Sequence, residues 1–296
     1  MIKIFITSFI ALFLGVNAYA DIKGASLNKI SEKVSTTVSN LIPGEGLTEV
    51  DVRLRDDNSG NGNYEFKILG VRDILPSDNS NLFTQFSFHT QETNGHNRLI
   101  GNLGLGYRKL SEDKSNMMGI NVFLDNDFNA GHQRGSVGFE LKGANLDLTA
   151  NSYHKISNME TYKDTEEQVL SGYTINLASQ LPYTPWAKIN WQNYAWENEK
   201  ASSDTEGNSI ALQAYLTPSV QLEFKNDMSD NSGVDDEFTS KLTYIYPPRE
   251  DGKSMQDGFS NVAFEKENVQ KKLKEKVERN NNMTVEVQGS IIVTSK

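Results

Sequence analysis

The chain alternates between apolar and polar residues with a period of two over most of its length. In the stretch NVFLDNDFNAGHQRGSVGFE, Val122 and Leu124 fall on one side, and Val137 resumes the alternation after a polar loop. Stretches of this kind recur from Leu47 to Tyr246. They predict about twelve strands of up to roughly ten residues, each with one apolar face and one polar face.

The connections between these predicted strands alternate in length. Short ones such as GAN and TPS take turns with longer polar ones such as HTQETNGHN and KISNMETYKDTEEQV. Short turns at one end and long loops at the other are typical of outer-membrane barrels, whose apolar faces meet lipid and whose polar faces line the lumen. The sequence therefore predicts an all-β membrane protein, an antiparallel outer-membrane β-barrel of about 12 strands.

The same alternation assigns individual side chains to the two faces of the predicted barrel. The residues expected to face lipid are Leu103, Leu105, Val122, Leu124, Ile189 and Leu222. The residues expected to face the lumen are Glu49, Arg53, Asn102, Arg108, Gln192 and Glu223.

Helical periodicity flanks the strands on both sides. An apolar stripe over residues 24–41 predicts a short N-terminal helix. A second stripe predicts a helix over 257–279, which we expect to cross the barrel lumen; it comprises Phe259, Val262, Val269, Leu273 and Val277. The final stretch MTVEVQGSIIVTSK is compatible with a short strand or with a disordered end.

The N-terminus has the features of an export signal. Lys3 precedes the apolar run IFITSFIALFLGV, and Ala18-Tyr19-Ala20 matches a cleavage site of small residues. The sequence thus divides into a signal peptide (1–20), a periplasmic N-terminal helical segment (21–45), a transmembrane barrel (46–248), and a pore-threading helical linker with a short tail (249–296).

Composition narrows the function classes. The formal net charge of −10 disfavours nucleic acid as a partner, and the absence of cysteine excludes disulfides. None of the four histidines has zinc-site spacing, and no G-x-S-x-G motif is present. The acidic loops are more typical of turns than of calcium sites. We therefore expect no cofactor, no metal and no enzymatic activity.

The loop after Leu124 carries the densest group of polar residues. Asp125, Asp127, His132 and Arg134 lie within ten positions. A catalytic or metal site is one interpretation of this group. The favoured interpretation is a hairpin whose neck is stabilised by pairing of both aspartates with Arg134.

The stretch GINVFLDNDFNAGHQRGSVGFE resembles the β-domain signature of inverse autotransporters, the intimin and invasin family. The resemblance continues through GLGYRKL, LPYTPWAKINWQNYAWEN, LQAYLTPSVQLEF and KLTYIYPP, and through LKEKVERNNNMTVEV near the end. The residues that match the motif, and for which it implies a structural role, are Asp125, Asp127, Phe128, Gly131, His132, Arg134 and Glu140.

This resemblance implies a twelve-stranded outer-membrane barrel whose C-terminal linker threads the pore and carries a passenger to the cell surface. Family passengers are usually strings of immunoglobulin-like domains that end in an adhesin. The sequence departs from that pattern, since little follows Asn282 and no peptidoglycan-binding module is evident before the barrel.

The leading hypothesis is an inverse-autotransporter-type translocator that threads its own linker to the surface with a minimal passenger. The alternative is a porin-like or structural outer-membrane protein that acts through its surface loops. The expected location is the bacterial outer membrane. The expected partners are outer-membrane lipid, lipopolysaccharide, the outer-membrane assembly machinery and a surface receptor that the sequence does not identify.

Overall fold

Twelve strands close into an antiparallel barrel in the computed structural model, which describes residues 45–55, 63–201, 203–231, 236–249, 253–265, 268–287 and 290–292. The strands that close it are β1 (Thr48–Arg55), β2 (Asn63–Pro76), β3 (Ser80–Thr93), β4 (His96–Leu110), β5 (Met117–Asp127), β6 (Gln133–Lys142), β7 (Leu146–Lys155), β10 (Ser171–Leu181), β11 (Thr184–Glu197), β12 (Thr205–Thr217), β13 (Val220–Ser229) and β14 (Glu237–Tyr246). Pairing of β1 with β14 closes the ring. This confirms the predicted barrel; the predicted signal peptide and N-terminal helix lie outside the described residues.

The two faces of the strands follow the alternation in the sequence. Leu103, Leu105, Val122, Leu124 and Ile189 are exposed on the outer face, and Leu222 is half-buried there. The residues buried on the inner face include all six expected in the lumen: Glu49, Arg53, Asn102, Arg108, Gln192 and Glu223. No helix among the described residues is long and apolar enough to cross a membrane.

Two glycines of β4 make room for aromatic rings inside the barrel. A Cβ atom at Gly104 would lie 2.4 Å from the Phe123 ring, and one at Gly106 would lie 2.3 Å from the Phe83 ring. Both distances are too short for carbon atoms in contact. The glycine-rich run NLGLGYR is therefore a strand that accepts bulky neighbours in the lumen.

The strands are joined by short turns at one end, here called the short-turn rim, and by mostly longer connections at the other, the long-loop rim. One predicted long loop is wrong: within HTQETNGHN the strands β3 and β4 continue almost to the tip. They meet in a two-residue turn at Asn94 and Gly95, whose φ angles of 51° and 70° are typical of a tight hairpin.

A second sheet lies at the long-loop rim. The connection after β7 contains β8 (Glu160–Tyr162) and β9 (Thr165–Val169), and the C-terminal stretch contains β15 (Val285–Val287) and β16 (Ser290–Ile292). The four strands form one sheet in the order β16-β15-β9-β8. In the described part of the C-terminal stretch, residues 283–287 and 290–292, the strand interpretation is the one observed.

The predicted helix over 257–279 is wrong. The described part of this region contains only two short 3-10 helices, η1 (Met255–Asp257) and η2 (Val269–Lys274). From Glu275, with φ −69° and ψ 162°, the backbone is extended. An α-helix with side chains is about 10–12 Å wide. Inward-pointing rings and guanidinium groups, among them Phe83, Arg108 and Arg134, already occupy much of the lumen.

Candidate functional site

The lumen is occupied by residues 268–287, here called the linker. Its first turn, η2, packs at the short-turn rim, where Val269 and Leu273 form a buried cluster with Leu110 and Met117. Val277 lies deeper, against Phe83 and Phe123 among others. Met283 and β15 reach the long-loop rim, where they pack with Ile100 and Val169. The linker therefore crosses the whole barrel.

The five residues predicted to form a pore helix separate into two groups. Val269, Leu273 and Val277 are buried in the lumen. Phe259 and Val262 are exposed, and their segment lies outside the lumen beside the short turn that holds Tyr183, whose backbone pairs with Ser260 and Ala263. The apolar stripe therefore does not form one continuous surface.

Side chains of β3 and β4 bind one edge of the linker backbone. The Gln85 amide accepts from the Val277 N–H at 2.7 Å and donates to the Val277 carbonyl at 3.5 Å. The Gln91 amide does the same for Met283, with both bonds at 2.7 Å. Asn81 donates to the carbonyl of Leu273 at 3.1 Å.

Arg108 and Asn102 extend this edge on β4. Arg108 donates to the carbonyls of Leu273 and Glu275, and Asn102 donates to that of Asn281 at 3.1 Å. The Arg108 guanidinium also pairs with Glu140 at 2.8 Å and 3.0 Å and lies over the Phe83 ring. Glu140 of the motif therefore orients an arginine that holds the linker.

Side chains of β6 and β7 bind the other edge. Asn151 donates to the Glu278 carbonyl at 3.0 Å, and the Tyr153 hydroxyl accepts from the Asn280 N–H at 2.7 Å. Arg134 donates to the Asn280 carbonyl at 3.0 Å. The linker backbone is thus bound from two sides of the barrel wall.

The linker side chain that bonds Asp125 of the motif hairpin is Arg279. Its guanidinium bonds both carboxylate oxygens of Asp125, at 3.0 Å and 2.7 Å, and lies over the Phe123 ring. Arg134 bonds the same carboxylate at 2.8 Å and lies over the rings of Tyr153 and Trp196. One buried carboxylate therefore serves two buried guanidinium groups.

The rest of the motif shapes the hairpin tip, and one predicted pair is wrong. Asp127 pairs with Arg98 at 3.3 Å and not with Arg134, because the β5–β6 register places Asp125 opposite Arg134. Its second oxygen accepts the N–H groups of Asn129 and Ala130. Gly131 has φ +85°, which favours glycine. Phe128 points outward and stacks on Phe88.

His132 and Arg98 connect the hairpin tip to the second sheet. Nε2 of His132 lies 3.4 Å from the Glu167 carboxylate, and Arg98 bonds that carboxylate twice at 2.6 Å. Burial raises the pKa of Glu167, but hydrogen bonds from His132 and Arg98 outweigh burial and hold this pKa below its ordinary value. The strand β9 is thereby fixed to the barrel rim.

Ion pairs fill the remaining polar lumen. Lys276 of the linker bonds Glu49 at 2.7 Å, and Lys272 bonds Asp147 at 2.7 Å. Within the wall, the pairs are Arg53 with Glu65 at 3.0 Å and Glu223 with Lys241 at 2.8 Å, while Gln192 bonds Asn176 at 2.7 Å. The basic charges of the linker match acidic groups of the wall.

The emerging strand β15 is held by a carboxylate. Glu286 is buried and accepts the consecutive backbone N–H groups of Glu199, Lys200 and Ala201, at 3.0, 3.0 and 2.7 Å. Successive N–H groups that converge in this way form an anion-binding nest. Glu286 thus ties the linker to the β11–β12 loop.

Several of these residues were not singled out from the sequence. Gln85, Gln91 and Asn151 belong to the polar faces of their strands, but amides on such faces are common and their partner is distant in the chain. Arg279 and Glu286 lie in a segment assigned to a helix and a tail. The described residues contain no group of three metal-binding side chains.

The family model of the inverse autotransporter β-domain matches residues 15–281. This match covers the whole barrel and the linker as far as Asn281. The chain belongs to the inverse autotransporter β-domain family. The motif residues around Asp125 thus belong to a barrel of this family that holds its own linker.

Several known proteins are similar to parts of this chain. The inverse autotransporter adhesin YeeJ of Escherichia coli K12 is 27% identical over 72% of this chain and 9% of its own length. A putative attaching and effacing protein homolog of the same strain is 32% identical over 49% of this chain and 50% of its own length. Intimin of E. coli O111:H- is 26% identical over 50% of this chain and 17% of its own length. The chain therefore spans half or less of these relatives.

Solved structures show the same fold. A protein solved in work on the in-meso crystallization of membrane proteins superposes with a TM-score of 0.64 at 20% identity, over 82% of this chain and 100% of its own. An outer-membrane channel from Pseudomonas putida F1 gives a TM-score of 0.50 at 13% identity, over 69% of this chain and 96% of its own. With the family match, they support a location in the bacterial outer membrane.

Proposed function

We propose that this barrel is a translocator that carries its own linker across the outer membrane, from the short-turn rim in the periplasm to the long-loop rim at the cell surface. The observation that carries the proposal is the linker itself, which crosses the lumen from η2 to β15 and joins the sheet beyond the rim. Any polypeptide C-terminal to the linker is carried outward with it. The relatives include an adhesin and intimin, which is consistent with cargo displayed at the surface.

The occupied lumen supports a translocator over the porin-like alternative. Val277, Arg279 and Met283 are buried against the wall at successive depths, where an open channel would hold water. Gln85 and Tyr153 also bind the linker backbone directly, and an open pore has no use for such hydrogen bonds. A structural protein acting through its loops is the outcome if the linker fails to reach the outside.

Cysteine labelling tests the proposal, because the chain has no native cysteine. The variant Ser290→Cys reports on β16, Asn261→Cys on the short-turn rim, and Thr161→Cys on the long-loop sheet independently of the linker. On intact cells, a membrane-impermeant thiol reagent is expected to label Ser290→Cys and Thr161→Cys. It is expected to label Asn261→Cys only after the outer membrane is breached. Protection of Ser290→Cys beside a labelled Thr161→Cys would reject the proposal.

A further inference from the structure

The bonds between the lumen wall and the linker fall on the linker backbone in an alternating pattern. On the linker, the carbonyls or N–H groups of Leu273, Glu275, Val277, Asn281 and Met283 meet β3 and β4. Those of Glu278 and Asn280 meet β6 and β7. In an extended strand, the N–H and carbonyl of successive residues point to opposite edges. The wall therefore binds both edges of an isolated strand.

The β3 side chains that bind the linker have the same spacing as the linker residues that they bind. Asn81 and Gln85 are four positions apart, and so are their partners Leu273, at the end of η2, and Val277. Gln85 and Gln91 are six positions apart, and so are Val277 and Met283. From Val277 to Met283 the linker thus runs alongside β3 with the rise of a strand, and the amide side chains of Gln85 and Gln91 take the place of a neighbouring backbone.

We propose that the lumen wall forms a binding track for extended polypeptide, in which Asn81, Gln85 and Gln91 on one side and Asn151 and Tyr153 on the other bind backbone groups without reading sequence. This inference rests on the proposed function and names how the translocated chain is held. Every residue except proline carries both an N–H and a carbonyl, so any extended segment presents the same groups. A shift of two residues along the track restores the same pairing.

Arg279 supplies the fixed register that such a track cannot define by itself. Backbone binding alone leaves registers two residues apart equivalent, whereas Asp125 bonds one specific side chain of the linker, that of Arg279. The Asp125–Arg279 pair therefore selects the register in which the linker comes to rest, and the amide side chains hold whichever segment lies in the lumen.

Amide hydrogen exchange in the purified, folded full-length chain tests the track. Methionine keeps the length of glutamine and removes its hydrogen bonds. Gln85→Met is expected to speed exchange of the Val277 amide about tenfold, and Gln91→Met that of the Met283 amide. The matched control is Gln192→Met, a buried lumen glutamine that bonds Asn176 of the wall, and it should change neither amide. Changes below about twofold in both test variants, or an equal effect of the control, would overturn the proposal.

A second pair of variants separates the linker backbone from its side chain. Met283→Ala retains the N–H that Gln91 accepts, whereas Met283→Pro removes it. We expect labelling of Ser290→Cys on cells to fall much further with the proline variant than with the alanine variant. Equal labelling would contradict backbone binding. If Ser290→Cys is protected in the parent while Gln85→Met still speeds exchange, the proposed translocation fails and the track stands.

Discussion

Asp125 contributes more to stability than either of the two arginines that it binds. All three side chains are buried, and Arg134 and Arg279 both direct guanidinium groups at the same carboxylate. Loss of one arginine leaves Asp125 paired, whereas loss of the carboxylate charge leaves two buried cations without an anion between them. An uncompensated buried charge is far more destabilising than a lost hydrogen bond.

This asymmetry predicts an order of stabilities. Asp125→Asn should lower the free energy of unfolding by about 3–5 kcal/mol. Arg279→Gln should cost less, about 1–3 kcal/mol, because Arg134 still pairs with Asp125. Urea unfolding followed by the shift in gel mobility between folded and heated protein measures both. The exposed turn variant Asp113→Asn is the control, and a larger cost for Arg279→Gln than for Asp125→Asn would contradict the argument.

At the residue scale, the sequence reveals which side chains are polar and inward but not their partners. Asp125 and Arg134 are found together because they are paired across one hairpin. Asp127, only two positions on, turns to Arg98, and its assignment to Arg134 was wrong. Arg279 lies 154 residues from Asp125, and no local spacing relates two residues so far apart.

At the scale of elements, period two predicted the barrel strands well because each strand has a lipid face and a lumen face. The same reasoning failed for the linker. Val269, Leu273 and Val277 have helical spacing, and the lysines among them favour a helix. The narrow lumen and the partners offered by Gln85 and Gln91 outweigh that local preference, so only the short 3-10 helix η2 forms and the chain is extended from Glu275.

The strand β15 is anchored on two sides. Its backbone pairs with β9, and the Glu286 carboxylate accepts three N–H groups of the β11–β12 loop. Hydrogen bonds to a charged acceptor are about twice as strong as neutral ones. The nest thus contributes an attachment that the short three-residue ladder alone would not supply.

Glu286→Gln should release the β11–β12 loop without unfolding the barrel. The amide keeps one carbonyl oxygen and loses the charge, so we expect exchange of the Lys200 and Ala201 amides to accelerate about tenfold. The matched control is Glu206→Gln, an exposed carboxylate on β12. Unchanged exchange at both amides would show that the nest does not hold the loop.

On the scale of the whole molecule, the barrel is apolar outside and polar inside, and its inner polar groups are largely satisfied by the linker and by one another. The pairs Lys276 with Glu49 and Lys272 with Asp147 join linker and wall. On the β3–β7 side, the lumen is filled by side chains that are hydrogen-bonded to one another and to the linker. Asn102, for example, bonds Ser87, Asp125 and Asn281. Substitutions there disturb the linker as well as the wall.

Adjacent residues of β11 allow the two faces to be compared on one strand. Ile189 is exposed on the outer face, while Asn190 is half-buried on the inner face between Lys188 and Gln192.

An arginine at the bilayer midplane costs about 2–4 kcal/mol on the lipid face. Ile189→Arg should therefore lower the free energy of unfolding in lipid vesicles by that amount. Asn190→Arg should lower it by less than about 1 kcal/mol, because its guanidinium stays in a polar lumen. Equal costs in vesicles would mean that the outer face of β11 does not contact lipid.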